Sequence, residues 1–145
     1  MEGIYVTGSA EETKTLAKKF AQELREGITL CLHGQLAAGK TTFTQGLGEF
    51  YGIDRMTSPT YVIVHQYPID HDGTKIKTFY HVDLYRLENH TEIKSFSIDE
   101  LWDDKSNLIV VEWPERLENY LPKSRYEINF KTISTDVREI TFNMI

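Results

Sequence analysis

Ile28-Thr-Leu-Cys-Leu-His-Gly-Gln-Leu-Ala-Ala-Gly-Lys-Thr-Thr42 is the stretch on which the reading of this chain turns. An apolar, β-prone run from Ile28 to Leu32 leads through Gly34-x-x-x-x-Gly39-Lys40-Thr41 into a helical pattern. That is the strand, loop and helix order a P-loop requires. Gly34 and Gly39 free the backbone to curl successive N–H groups round a phosphate. The helix that follows points its positive end at the same anion. In this pattern Lys40 bridges the β- and γ-phosphates of a nucleotide, and the Thr41 hydroxyl ligates a Mg²⁺ shared with it.

Around this stretch the composition sets limits. The 145 residues carry 40% hydrophobic content, which fits a single domain spanning 1–145 with room for a core. Sixteen basic residues against 22 acidic leave a formal charge of −6, so the whole chain has no electrostatic footprint for RNA or DNA. Any role with RNA is expected to run through a partner. The single cysteine, Cys31, excludes a disulfide framework and reads as a small buried hydrophobe. No apolar run approaches the ~20 residues of a membrane span, so a soluble, cytoplasmic protein is expected.

Before the loop, Ile4 to Thr7 reads as a short strand. Ser9 with Glu12 forms a capping box, and Leu16, Ala17, Phe20, Ala21 and Leu24 then make one apolar helical face. Thr13 lies off that face and reads as a solvated hydroxyl. After the loop, Phe43, Leu47 and Phe50 recur at helical spacing. Gly46 and Gly48 are poor helix formers, and close packing of that helix on the sheet accounts for them. Gly52 closes the helix.

Ser58-Pro59-Thr60 is extended, because the proline biases Ser58 away from helix. Thr60 to Tyr67 and Lys75 to Val82 read as strands joined by a hairpin connection at Asp70-His71-Asp72-Gly73. Asp83 follows the second of these strands. A carboxylate there suits the ligand chemistry of open α/β sheets and equally suits a helix N-cap. Leu108-Ile-Val-Val-Glu112 reads as a buried parallel strand ending in an acid, in the manner of a Walker B strand, with Glu112 in reach of Mg²⁺ directly or through water. Trp113-Pro114 stops that strand and starts a short helix. Arg125 to Lys131 and Val137 to Phe142 form a closing antiparallel pair, and Arg138 reads as a surface charge.

Four motifs in this order resemble the TsaE (YjeE) family, bacterial P-loop ATPases needed to make threonylcarbamoyladenosine in tRNA. They are Gly34 to Thr42, Ser58-Pro-Thr-Tyr61, His81-Val-Asp-Leu-Tyr-Arg-Leu87 and Val111-Glu-Trp-Pro-Glu115. The resemblance spans nearly the whole chain and implies a P-loop NTPase-like three-layer α/β sandwich, with a mostly parallel central sheet and antiparallel strands at its edge. It implies ATP as substrate on Gln35, Leu36, Ala37, Ala38, Gly39, Lys40, Thr41 and Thr42, Mg²⁺ on Thr41 with Glu112, and Asp83 close to the metal and γ-phosphate. It further implies that Ser58, Pro59 and Thr60 form a switch-like segment, that Thr13 and Arg138 help to hold the nucleotide, and that Trp113 lies near the site. The partner it implies is the threonylcarbamoyl-transfer complex of TsaB and TsaD type, with tRNA contacted only indirectly.

Two residues depart from the family loop, which usually reads Gly-Asp-Leu-Gly-Ala-Gly-Lys-Thr-Thr. Gln35 replaces the aspartate and Ala37 the middle glycine. If position 37 requires positive φ, alanine there costs about 1 kcal/mol, which falls on loop geometry. The reading reached is a slow ATPase serving a partner complex, with Lys40, Asp83 and Glu112 as its catalytic groups. A small-molecule kinase on the same loop and a nucleotide-gated binding module without turnover are the alternatives.

Overall fold

The computed structural model describes residues 1–56, 64–86 and 97–145. Its elements follow as β1 (Gly3–Thr7), α1 (Ala10–Glu23), β2 (Thr29–His33), α2 (Lys40–Phe50), β3 (Val64–Pro68), β4 (Thr78–Asp83), β5 (Asn107–Glu112), β6 (Arg125–Thr132) and β7 (Arg138–Met144), with 3₁₀ helices at Ile98–Leu101 and Pro114–Tyr120. The strands form one sheet in the order β1-β7-β6-β2-β5-β4-β3. Its centre is parallel, since β2 pairs with both β5 and β6, and β5 pairs with β4. Antiparallel pairs lie at both sides, β3 on β4 and β1 on β7 on β6. The expected α/β architecture is therefore present.

The order follows from burial. Every residue of β5 is buried, as a strand covered on both faces must be, and its run of Leu108 to Val111 supplies side chains to both. Leu108 and Val110 join Leu30, Leu32, Phe79 and Ile128 under α1 and α2, where Phe20 stacks on Phe142 with ring centroids 5.2 Å apart. Ile109 and Val111 face the other way and pack with Val82, Leu84, Ile98 and Leu117, the last two carried by the 3₁₀ helices. Among the described residues, no helix is long and apolar enough to cross a membrane.

α1 starts as its sequence requires. Ser9 accepts from the Glu12 N–H at 3.1 Å, and the Glu12 carboxylate turns back to the Gly8 N–H. Two expectations need correction. The close approach at Gly46 is to α1, because a Cβ there would stand 2.8 Å from both Ala17 Cβ and the Lys14 carbonyl; at Gly48 it is to Met56 Sδ at 2.1 Å. Neither glycine accommodates the sheet. β4 also begins at Thr78, later than expected, because the Lys75 N–H donates to the Arg25 carbonyl at 2.8 Å and the Lys77 N–H to Ser106. The connection between β3 and β4 does turn at Gly73, with φ +83°.

Candidate functional site

The parallel strands β2, β4 and β5 all end at one edge, and the loop from Gly34 to Gly39 crosses it between β2 and α2. That edge is where open α/β sheets hold ligands. Gly34 is required by its surroundings, since a Cβ would lie 2.8 Å from the Phe130 carbonyl, and Gly39 by its φ of +104°. Gly39 is the N-cap of α2, and among the described residues no side chain caps the helix. The first-turn N–H groups therefore have no capping side chain, and the helix dipole faces the loop.

Lys40 opens α2 and is buried to 5% exposure. Its Nζ donates to the Gly34 carbonyl at 2.7 Å and stands 4.5 Å from the centroid of the Trp113 ring. A cation held against an aromatic face and a carbonyl is electrostatically satisfied. Trp113 holds this place from a left-handed backbone, φ +60°, directly after β5, and its ring also meets Tyr85 at 5.1 Å. Between the loop and Trp113 runs a groove of ≈ 370 Å³ bordered by His33, Gln35, Lys40 and Glu115.

Asp83 and Glu112 are register partners at the last positions of β4 and β5. Asp83 Oδ1 accepts the Tyr85 N–H at 3.0 Å, so the side chain caps its own turn. Burial raises the Asp83 pKa above the usual aspartate value and the nearby Glu112 adds to it, while the Tyr85 hydrogen bond, His81 and Lys40 pull the other way. Glu112 is 5% exposed, and its Oε2 lies 2.8 Å from His81 Nε2. Asp83, Glu112, His81 and Lys40 thus share one electrostatic neighbourhood. Among the described residues no three His, Cys, Asp or Glu side chains converge as a metal cage.

Gln35, Leu36 and Ala37 are exposed on the loop, Ala38 is buried, and Thr41 is exposed in the first turn of α2 with Thr42 half-buried. Ala37 does sit at positive φ, +63°. Arg138, at the start of β7, reaches the loop: its Nη2 donates to the Ala37 carbonyl at 3.2 Å. The reading of Thr13 as a solvated hydroxyl needs correction, since the residue is 2% exposed and its hydroxyl lies 2.7 Å from that of Thr7. It turns inward because α1 packs against the end of β1. Ser58, Pro59 and Thr60 lie outside the described residues.

Sequence reasoning singled out Asp83 and passed over His81, although the two sit on one face of β4 in the pattern His81-Val82-Asp83. Period-two spacing to a candidate acid was the available signal. His33 was likewise passed over; its ring lies against Glu127, with Glu115 3.9 Å away.

Comparison with known proteins bears on the family and the fold. The family model described as "Threonylcarbamoyl adenosine biosynthesis protein TsaE" matches residues 7–140. The "tRNA threonylcarbamoyladenosine biosynthesis protein TsaE" of Bacillus subtilis is 40% identical over 140 residues, covering 96% of this chain and 84% of that protein. The protein of the same name in Streptomyces coelicolor is 37% identical over 134 residues, covering 88% and 87%. The crystal structure of Bacillus subtilis YdiB superposes with a TM-score of 0.79 at 35% identity, covering 100% of this chain and 86% of that one. With the family model matching residues 7–140 and relatives 37–40% identical over most of both chains, the chain belongs to the TsaE family.

Proposed function

We propose that this protein binds Mg-ATP on residues 35 to 42 and hydrolyses it slowly, in the service of a threonylcarbamoyl-transfer complex of TsaB and TsaD type that modifies tRNA. The tRNA role rests on the names of its relatives. The observation that carries the ATPase reading is the meeting of buried Lys40 with Asp83 and Glu112 at one sheet edge, beside a helix N-terminus whose N-cap is a glycine.

Each group has a task in that chemistry. The loop N–H groups and Lys40 take the phosphates, and Lys40 needs only to exchange the Gly34 carbonyl for a phosphate oxygen to reach them. Two carboxylates brought together with one of them raised in pKa are a donor set that suits a hard divalent cation, and the exposed Thr41 hydroxyl adds a third oxygen. Bound Mg²⁺ would neutralise charge on the β- and γ-phosphates. Glu112, aimed by His81, would hold that ion, while Asp83 orients the attacking water. Arg138 reaches the loop through the Ala37 carbonyl, and Trp113 keeps Lys40 in place.

Calorimetry tests this. Mg-ATP should bind the wild type, and Lys40→Ala should weaken binding by about 1.5–3 kcal/mol, the range for hydrogen bonds to charged groups, with the fold intact. Unchanged affinity in the folded variant would remove the site.

A further inference from the structure

Ala37 and Arg138 lie 101 residues apart and meet across the nucleotide loop. Ala37 holds a left-handed backbone, φ +63°, which an L-residue with a Cβ enters at a cost. The loop conformation is therefore less favourable by itself than a glycine there would make it. Its carbonyl, the group whose direction that dihedral helps to set, receives Arg138 Nη2 at 3.2 Å.

The guanidinium is not free to swing. Nη1 donates to the carbonyls of Ser134, Thr135 and Val137 at 2.9, 3.1 and 3.1 Å, so the turn between β6 and β7 grips it from behind. The side-chain stem lies along the loop as well, since a Cβ on Gly39 would come 3.8 Å from Arg138 Cγ. A planar, five-donor fork presents N–H groups to two backbone segments in a fixed geometry, for which an ammonium on a flexible stem is not pre-organised.

We propose that Arg138 is a positioning residue that clamps the loop in its phosphate-receiving shape by binding the Ala37 carbonyl, and that it offsets the strain of alanine at this position. It acts on nucleotide affinity through the loop backbone, with no contact to the nucleotide needed. The proposal rests on the reading of residues 35 to 42 as the nucleotide site.

The consequence is coupling. With alanine at 37, loss of the clamp lets the loop leave the competent shape, and apparent affinity falls by the fraction lost. With glycine at 37 the shape is reached without that strain, and the clamp matters less.

The test is a double-mutant cycle on Mg-ADP affinity using wild type, Ala37→Gly, Arg138→Gln and the pair, with thermal melts confirming folded protein. Arg138→Gln should weaken binding about tenfold, the scale of one charge-assisted hydrogen bond, and Ala37→Gly should restore most of it. Arg138→Lys, which keeps the charge, should be as weak as Arg138→Gln. An equal loss in both backgrounds, or rescue by lysine, would overturn the clamp in favour of a direct charge on the nucleotide. A second readout needs no nucleotide: the Ala38 N–H, bonded to the Gln35 carbonyl at 3.2 Å, should exchange faster in Arg138→Gln. Unchanged exchange overturns the clamp even if the nucleotide site is right. Absence of Mg-ADP binding in the wild type would instead overturn the nucleotide site.

Discussion

Glu112 Oε2 lies 2.8 Å from His81 Nε2, with both side chains almost fully buried. His81 stands on the same face of β4 as Asp83, and Glu112 pairs in register with Asp83 across β4 and β5. The imidazole therefore fixes the direction of one acid beside another at the mouth of the loop. A carboxylate so held is suited to charge and ligand work there, and its replacement should affect chemistry before it affects binding. Glu112→Gln should reduce Mg²⁺-dependent hydrolysis by about 100-fold, the scale of losing one preorganised electrostatic group, while metal-free nucleotide binding changes far less. Equal loss of both would make Glu112 a structural carboxylate.

Asp83 carries a cost that its substitution should reveal. Its folded-state pKa is raised, by burial first and then by Glu112. For a raised acid, the favourable contribution is present at pH below the usual aspartate value and is lost as pH rises through the folded value. At neutral pH the ionised group therefore counts against the fold. Asp83→Asn keeps an oxygen for the Tyr85 N–H, so without nucleotide its melting temperature at pH 7 should exceed that of wild type, and the gain should shrink in acid. Its turnover should fall. A lower melting temperature with normal turnover would leave Asp83 as a turn cap only.

Cys31 tests the burial of β2. Burial foremost, with Glu127 adding, pushes its thiol up to about 12. Because the unfolded thiol ionises near 9.0, this group's share of stability is intact below that pH and is lost as pH climbs towards about 12. At pH 8 a thiol reagent should label Cys31 only after denaturation. Rapid labelling of the native protein would contradict the packing of β2.

Gly46 tests the contact between α1 and α2. A Cβ there meets the Lys14 carbonyl at 2.8 Å, and a backbone atom cannot step aside as a side-chain tip can. Overpacking costs about 1–3 kcal/mol, set against about 1 kcal/mol of helix propensity gained by alanine. Gly46→Ala should lower the urea midpoint by a net destabilisation of about 1 kcal/mol, the middle of the ~0–2 kcal/mol that this difference leaves. An unchanged or higher midpoint would contradict the helix contact.

Much of this was legible in the chain itself, and the parts that were not share a cause. β2, the loop, α2 and β5 were readable because each carries a local signal: an apolar run, paired glycines before Lys40, helical spacing at Phe43 and Leu47, and an acid closing Leu108 to Val111. The strain at Ala37, whose φ is +63°, was foreseen only through the family resemblance, since the family loop usually carries glycine there. Gly46 was read as an accommodation to the sheet because spacing tells that a helix face is tight without telling which neighbour crowds it. Thr13 was read as solvated because its partner, Thr7, belongs to another element. The His81 contact to Glu112 spans 31 residues and two strands, and no local pattern carries it.

The isolated protein should show no measurable tRNA affinity at physiological salt. Non-specific binding depends on lysine and arginine neutralising phosphates, and a net charge of −6 opposes it. Filter binding checks this; tight binding by the chain alone would point to an RNA-dependent enzyme.

The central claim is that Lys40, Asp83 and Glu112 make a slow ATPase whose turnover belongs to a partner complex. Phosphate release from Mg-ATP, measured with the chain alone and again with the threonylcarbamoyl-transfer complex, addresses it most directly. Release should be slow alone, rise when the complex is added, and stay near background in Lys40→Ala under both conditions. Fast release that ignores the complex, or release that survives Lys40→Ala, would contradict the account.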